Sequence, residues 1–406
     1  GLAATQLRVF SETQIASVSS TQISALSTTQ LRGFSTTGIG QFSLDQIAAL
    51  SSTQVAGLAS TQAAGLSTTQ ISALSLEQFE ALSSTAIGGL STTQIGALSI
   101  FQIADLSTTQ VKGLSAAAVS ALSAEQIGVL SFSQVAALSA TQLGNLSSTQ
   151  ASLLSPEQLA ALSATQIGGI SATAISGLEL EDIVNLTTTQ LAGLTSSQIT
   201  GLAVTHIPGL SATQIASLSS TQSQGLSSSQ VAAFSADQIG ALGTTQLSSL
   251  GTGAVAGLQT TQIALLSTTQ VSALTATQFA ALSVDQTSAL SASQVLSLNA
   301  TQLSRLGATS VAALGSTILG ALTTTQIKGL TASQVAGLST TDLQALSTTQ
   351  MGALSVNALA GLTQTQVGVL EVGDIAVLST TGLASLSTGA VAGLNQDQIG
   401  GLETTQ

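Results

Sequence analysis

The chain lacks almost all of the residue types on which catalytic and metal-binding chemistry depends. Its 406 residues include no Cys, Trp or Tyr, and only one His, one Met and two Pro. The absence of Cys excludes disulfide frameworks, Cys-based zinc sites and cysteine nucleophiles. Acid–base and nucleophilic catalysis needs clusters of titratable groups, yet only 5% of the residues are charged. We therefore expect that the protein is not an enzyme, and we assign it no catalytic, cofactor-binding or metal site and no cofactor.

The scarcity of positive charge argues against two classes of partner. The chain carries 17 acidic and 5 basic residues, a formal net charge of -12. So few cations cannot neutralise the phosphates of a nucleic acid or bind an anionic membrane surface strongly. A membrane-spanning helix needs about 18 or more consecutive apolar residues, and Ser, Thr and Gln interrupt this chain every few positions. We expect no nucleic-acid partner and no membrane insertion.

What the chain does contain is an octapeptide repeat. One example runs from Ser91 to Leu98, S-T-T-Q-I-G-A-L, and we label its positions a to h. Ile, Leu or Val occupies e and Leu occupies h in most octads, and the octads follow one another without insertion or deletion. We interpret residues 1–406 as a single uninterrupted array. Since both ends fall in mid-pattern and neither terminal octad is a polar cap, we expect a fragment of a longer chain.

Four features predict that each octad forms a short α-helix beginning after its Ser. Ser at a and Gln at d match the S/T-x-x-E/Q capping box, in which each side chain accepts from a backbone N–H of the other residue. Pro156 falls at b, the first helical position, where Pro is favoured. Fifteen of the 17 acids lie at a to d, and all five bases lie at f or g. This segregation complements the helix dipole, and we predict a helix from b to h.

Helices of this length are unstable alone in water, so e and h must be buried against other octads. Identical units joined by identical turns generate a solenoid. We predict an all-α repeat solenoid with two or three octads per coil, an Ile and Leu core, and Ser, Thr and Gln outside. The alternative is a β-solenoid, because Thr, Ile and Val favour strands. Pro208, at f, lies inside its predicted helix, and we expect a local distortion there.

The single histidine, His206, replaces Gln at position d. A metal site needs several ligands, and neither a second His nor an acid lies within ten residues of it. We interpret His206 as a substitute capping residue. Two groups of acids are candidate Ca²⁺ ligands: Glu179, Glu181 and Asp182 with Asn185, and more weakly Glu371 with Asp374. Neither has the pattern of a calcium loop, so we interpret both as surface clusters at helix starts.

The phenylalanines divide into two groups by octad position. Six of the eight lie at e or h and are predicted to be core residues. Phe101 lies at c and Phe132 at b. Since b and c belong to the predicted outer surface, we expect these two rings to be exposed, as candidate lateral contacts between fibres.

The pattern L-S-x-x-Q-[IVL]-x-x-L, as in Leu50 to Leu58, resembles the octapeptide arrays of very large secreted bacterial proteins of the adhesin-like and matrix-like class. The resemblance covers the whole chain. It implies an extracellular or cell-surface location and brings no active site with it.

We predict a structural, non-enzymatic fibre, filament or matrix protein located outside the cell or at its surface. An exterior with so little charge does little to keep copies apart, so we expect self-association into fibres. The alternative is an adhesin-like binding scaffold that presents regular Ser, Thr and Gln faces to a glycan, to ice or to a partner protein. A run of octads with uniform residues at b and c on one face would favour this alternative.

Overall fold

The computed structural model describes residues 1–406 and contains 49 short α-helices, one 3₁₀ helix and no strand. The predicted all-α class is confirmed, and the β-solenoid is not supported. One helix forms in each octad, and helices of successive coils pack on one another as a repeat solenoid. By their contacts the residues divide into two compact units, Gly1–Leu210 and Ser211–Gln406.

The helices of the first unit, α1 to α25 and then the 3₁₀ helix, are Ala4–Leu7, Glu12–Ala16, Ser20–Ser24, Thr28–Leu31, Thr36–Gly40, Leu44–Ala48, Ser52–Ala56, Ser60–Gly65, Thr68–Ser72, Leu76–Glu80, Ser84–Gly88, Thr92–Gly96, Ile100–Ala104, Thr108–Gly113, Ala116–Ser120, Ala124–Gly128, Phe132–Ala137, Ala140–Leu143, Ser148–Ala151, Pro156–Ala160, Ala164–Gly169, Ala172–Ile175, Leu180–Val184, Thr188–Ala192, Ser196–Gly201 and Val204–Gly209.

Those of the second unit, α26 to α49, are Ala212–Ala216, Ser220–Gln224, Ser228–Ala232, Ala236–Ala241, Thr244–Ser249, Thr252–Ala256, Thr260–Leu265, Thr268–Ala273, Ala276–Ala280, Val284–Ser288, Ala292–Leu296, Ala300–Arg305, Ala308–Ala312, Gly315–Ala321, Thr324–Lys328, Ala332–Gly337, Thr340–Gln344, Thr348–Ala353, Val356–Leu359, Gln364–Gly368, Val372–Ala376, Thr380–Ala384, Thr388–Val391 and Gln396–Gly400.

The octad 91–98 shows why these helices begin at b. Gln94 donates its backbone N–H to Oγ of Ser91 at 3.2 Å, and Ser91 donates its own N–H to Oε1 of Gln94 at 2.8 Å. This reciprocal pair is the predicted capping box, and it is confirmed. The helix ends at Gly96, two residues before the predicted end. The prediction of a helix from b to h was too long, because the residue at h is extended even where the helix reaches g, as at Leu66.

The glutamines at d do not lie on the exterior, as we had expected, but in the interior. Gln94 is only 3% exposed. Its Nε2 donates to the carbonyl oxygens of Ala63 at 2.9 Å and Leu66 at 2.7 Å, which belong to the octad four places earlier. The same bonds recur along both units, for example from Gln270 to Ile239 and Leu242. Each of these buried glutamines therefore caps the start of its own helix and the end of a helix on the preceding coil, whereas Gln6, Gln14 and Gln22 are exposed and cap only their own helices.

The size of the coil follows from two sets of contacts. Helices three octads apart pack against each other, as α11 does with α14, and hydroxyls bond across this contact, as from Ser72 Oγ to the Ala97 carbonyl oxygen at 2.8 Å. The glutamine bonds join octads four apart. A coil therefore holds between three and four octads, more than the two or three that we had expected.

The core is built from e and h, as predicted. In octad 91–98, Ile95 is 0% and Leu98 is 5% exposed. Near the start of the first unit the rings of Phe34 and Phe42, both at h, meet edge to face with centroids 5.2 Å apart. Phe101 and Phe132 are 68% and 61% exposed, which confirms their predicted positions on the surface.

The two prolines also behave as predicted. Pro156 is the first residue of α20, where its missing N–H is not needed. Pro208 lies inside the 3₁₀ helix Val204–Gly209, the only helix of this type in the structure. Since a proline inside an α-helix removes one N–H and clashes with the preceding turn, it accounts for the local change of helix type.

Candidate functional site

His206 does not act as the capping residue that we had predicted. The 3₁₀ helix begins after Ala203 and has no side-chain cap. His206 is instead buried, with 6% of its surface exposed, and its Nδ1 atom has no hydrogen-bond partner. At this position a glutamine would donate to carbonyl oxygens of the preceding coil. An unpaired buried nitrogen costs stability, so this substitution weakens the coil locally.

Asp182 is the acid whose charge acts on His206. The sequence alone did not place these two residues together. Both residues occupy d, three octads apart, and α23 packs on the 3₁₀ helix. Burial lowers the pKa of His206, and the charge of Asp182 partly opposes this. Burial raises the pKa of Asp182, and the charges of Glu179 and Glu181 raise it further. A shared position one coil apart was the available signal, but it required knowledge of the coil size.

The two acidic clusters are only partly on the surface. Our interpretation of both as surface clusters is wrong for the aspartate at position d, which is buried in each. Asp182 is 6% exposed and accepts the backbone N–H of Glu179 at 2.9 Å, while Glu179, Glu181 and Asn185 are exposed. In the second unit Asp374 is likewise 6% exposed and accepts the N–H of Glu371 at 3.3 Å. Burial raises the pKa of Asp374. At both places the aspartate takes the accepting role of the missing glutamine, which is a structural role.

No group of three or more His, Asp or Glu side chains is arranged to hold a metal ion. Asp182 and His206 alone provide two ligands, fewer than a structural metal site needs.

An open groove of about 430 Å³ near the start of the first unit contains two of the five basic residues. It is lined by Arg8 and Arg32, with Thr5, Thr36 and Thr61 among its walls. Nε of Arg32 donates to the carbonyl oxygen of Gly57, so this guanidinium is already engaged in holding successive coils together. The groove is open to solvent, and its walls include both polar and apolar residues.

None of the helices has the length and apolar character that a membrane-spanning segment requires. Four segments of the chain match a known family of repeat sequences. Residues 28–60, 76–108, 311–348 and 367–404 each match the sequence model of the ALTTAQ repeat family. No curated protein matches the chain. The four matches lie in both units and support a repeat protein that serves as a structural scaffold.

Proposed function

We propose that this chain is a structural, non-enzymatic repeat scaffold that acts outside the cell or on its surface and associates laterally into fibres or a matrix. The observation that carries the proposal is the surface formed by positions b and c. Thr92 and Thr93 are typical, since both are exposed hydroxyl-bearing residues at the start of a helix. Such side chains dominate b and c along the array, and charged residues make up only 5% of the chain.

Two physical properties of this surface favour assembly. Neutral polar rows on neighbouring copies repel each other little, so a low charge density permits close approach. Within the array, the buried glutamines bind each coil to the preceding one through short hydrogen bonds, such as the 2.7 Å bond from Gln94 to Leu66. A surface repeated at a constant spacing then allows many weak contacts to form in register, and their free energies add.

The first test is assembly of the purified chain, followed by sedimentation velocity and negative-stain electron microscopy over a range of concentrations. We expect concentration-dependent lateral assemblies. The triple variant Thr53→Asp, Thr93→Asp and Thr165→Asp places acids at exposed c positions, in the first turn, where acids are tolerated. It should disperse the assemblies, whereas Thr→Ser at the same three positions should not. Monomers at every concentration, or assembly that the acids leave unchanged, would contradict lateral association.

The second test is location. Antibody labelling of intact producing cells and of their culture medium should detect the protein, with a cytoplasmic enzyme as the control for lysis. Labelling that appears only after the cells are permeabilised would contradict an extracellular or surface role, whatever the result of the assembly test.

One observation favours the alternative function, a binding scaffold for an ordered glycan or ice surface. Thr occupies both b and c in three octads on successive coils: Thr36 and Thr37, Thr68 and Thr69, and Thr92 and Thr93. Gln70 bonds to the carbonyl oxygen of Phe42 at 2.6 Å, and α9 packs on α12, so these octads are stacked. A glycan array and an ice-recrystallisation assay test this role. Thr→Ala at the six positions should abolish binding, and Thr→Ala at Thr108 and Thr109 should not.

A further inference from the structure

Large apolar residues at b are not scattered over the first unit but recur every three or four octads from Leu44 onward. Every Leu, Ile, Val, Phe or Pro at b in residues 1–210 falls in one of seven octads, which we call the stripe octads. Everywhere else in this unit b holds Ala, Ser, Thr or Glu. The stripe octads are 43–50, 75–82, 99–106, 131–138, 155–162, 179–186 and 203–210, and their b residues are Leu44, Leu76, Ile100, Phe132, Pro156, Leu180 and Val204.

Consecutive stripe octads touch each other, so their b residues form a line along one side of the unit. Where the step is three octads the helices pack directly, as α10 does on α13, α17 on α20, α20 on α23, and α23 on the 3₁₀ helix. Where the step is four octads a glutamine bridges it. Gln78 Nε2 donates to the Leu50 carbonyl oxygen and Gln134 Nε2 to that of Leu106, each at 2.7 Å.

The line of apolar side chains is open to solvent. Leu44 is 47%, Leu76 44%, Leu180 45% and Phe132 61% exposed, and Phe101, beside Ile100 in the same octad, is 68% exposed. Position b needs no apolar group for folding, because most octads of this unit place Ala, Ser or Thr there. A row of large exposed apolar side chains on consecutive coils indicates a surface that binds another molecule.

The acidic residues of the first unit are concentrated in the stripe octads. Eight of the ten acidic residues of the first unit belong to the stripe octads, and none of its three basic residues does. Seven of the eight are exposed: Asp45, Glu77, Glu80, Asp105, Glu157, Glu179 and Glu181. A second copy of the chain would bring this same row of acids against its own, which is unfavourable. An anionic lipid surface would be repelled for the same reason.

We infer that the stripe is a docking surface for a cationic amphipathic segment of a partner protein. Apolar side chains of that segment contact the b residues, and its Lys or Arg side chains pair with the acids beside them. Charge complementarity selects this occupant over a second copy, and the apolar line separates it from a purely ionic ligand. The inference does not rest on fibre formation, because the assembly test above changes threonines outside the stripe octads.

The test uses the full chain and a fluorescently labelled amphipathic helical peptide of Leu and Lys, with a twin in which Glu replaces Lys. Fluorescence anisotropy gives the dissociation constants. The apolar variant Leu76→Thr, Ile100→Thr and Phe132→Thr introduces a residue common at b, so folding is retained. The acid variant changes Asp45, Glu77 and Glu157 to Thr. Each should weaken binding of the cationic peptide about tenfold or more, and added salt should weaken binding to the unmodified chain.

A relocated variant is the matched control. It carries the three apolar changes together with Thr68→Leu, Thr92→Ile and Ala116→Phe, which moves the apolar residues to octads that contain no acid. Its composition of large apolar side chains is unchanged, and we expect it to bind as weakly as the apolar variant.

Four results would overturn the inference. They are equal binding by all variants, equal binding of the anionic twin, no binding of the cationic peptide to the unmodified chain, and recovery of binding in the relocated variant. Sedimentation of the chain without peptide adds a further outcome. A dimer that the apolar variant abolishes would assign the stripe to a second copy instead.

Discussion

At the scale of single residues, glutamine at d combines two functions. Its Oε1 accepts an N–H at the start of its own helix, and its Nε2 donates to two carbonyl oxygens on the preceding coil, as Gln94 does. An ionised Glu could accept but not donate. Glu accordingly never occupies d, although it matches the capping box equally well, and Asp occupies d three times.

Gln94→Glu tests this double role with almost no change of shape. The carboxylate would lie against the carbonyl oxygens of Ala63 and Leu66, leaving Leu66 without a donor and Ala63 with only the N–H of Leu66, at a cost of about 1–3 kcal/mol. We expect hydrogen exchange to show lost protection in octads 59–66 and 91–98 at neutral pH. Thr93→Glu adds the same charge at exposed c and should be neutral. Equal protection in both variants would show that the donor is dispensable.

His206→Gln tests the one histidine through its pH dependence. Burial lowers the pKa of His206 below 6.5 in the folded chain, so below that pH the unfolded chain binds a proton that the folded chain resists. The stability of the first unit should therefore fall as pH drops through 6.5. The variant should remove this dependence and supply a donor to the preceding coil. Thermal unfolding between pH 8 and pH 5 measures both effects, and parallel profiles for the two proteins would contradict the assignment.

At the scale of the helix, close approach between coils limits which residues fit at certain g positions. A Cβ atom at Gly193 would collide with the backbone carbonyl oxygen of Ala164 in the octad three places earlier. Backbone atoms cannot move aside as a side chain can, so this contact sets the distance between two coils. At Gly96, an f position, nothing lies within 4 Å of the added atom.

Gly193→Ala and Gly96→Ala form a matched pair that separates crowding from helix propensity. The first should destabilise its coil by about 1–3 kcal/mol through overpacking. The second should stabilise its helix by about 0.5–1 kcal/mol, because alanine loses less backbone entropy than glycine. Hydrogen exchange of the two helices and their neighbours measures the difference. Similar effects at both positions would mean that the coils are not held at the observed distance.

At the scale of the whole molecule, stability comes from contacts between octads three and four places apart, so damage should remain local. Ile167 is fully buried, and Ile167→Asp would place an unpaired charge in the core at a cost of several kcal/mol, on the order of 3–5. Hydrogen exchange should show opening around octad 163–170 while distant octads of the first unit stay protected. Thr165→Asp, at exposed c, should be neutral. Loss of protection throughout the unit would indicate one cooperative block.

Much of this fold is readable from one octad, and the remainder depends on how octads meet. Ser at a, Gln at d and the apolar pair at e and h predict a capped helix with a buried face, and Pro208 predicts its own distortion. The number of octads per coil cannot be predicted from the octad sequence alone, because it depends on backbone contacts between coils, such as that of Gly193 with Ala164. The burial of Gln94 and the proximity of Asp182 to His206 follow from that number, and both were therefore missed.

The hydrogen bonds of the buried glutamines have a mechanical consequence. Each joins residues 28 to 31 positions apart, as Gln94 does with Leu66 and Ala63. Tension applied along the chain therefore acts on a series of nearly identical hydrogen bonds. Releasing one octad frees eight residues, which extend to about 26–29 Å. Under constant force, octads would unfold one after another from the end to which the force is applied, in many small and equal steps. The array would thus yield as an extensible tether, with no single large rupture.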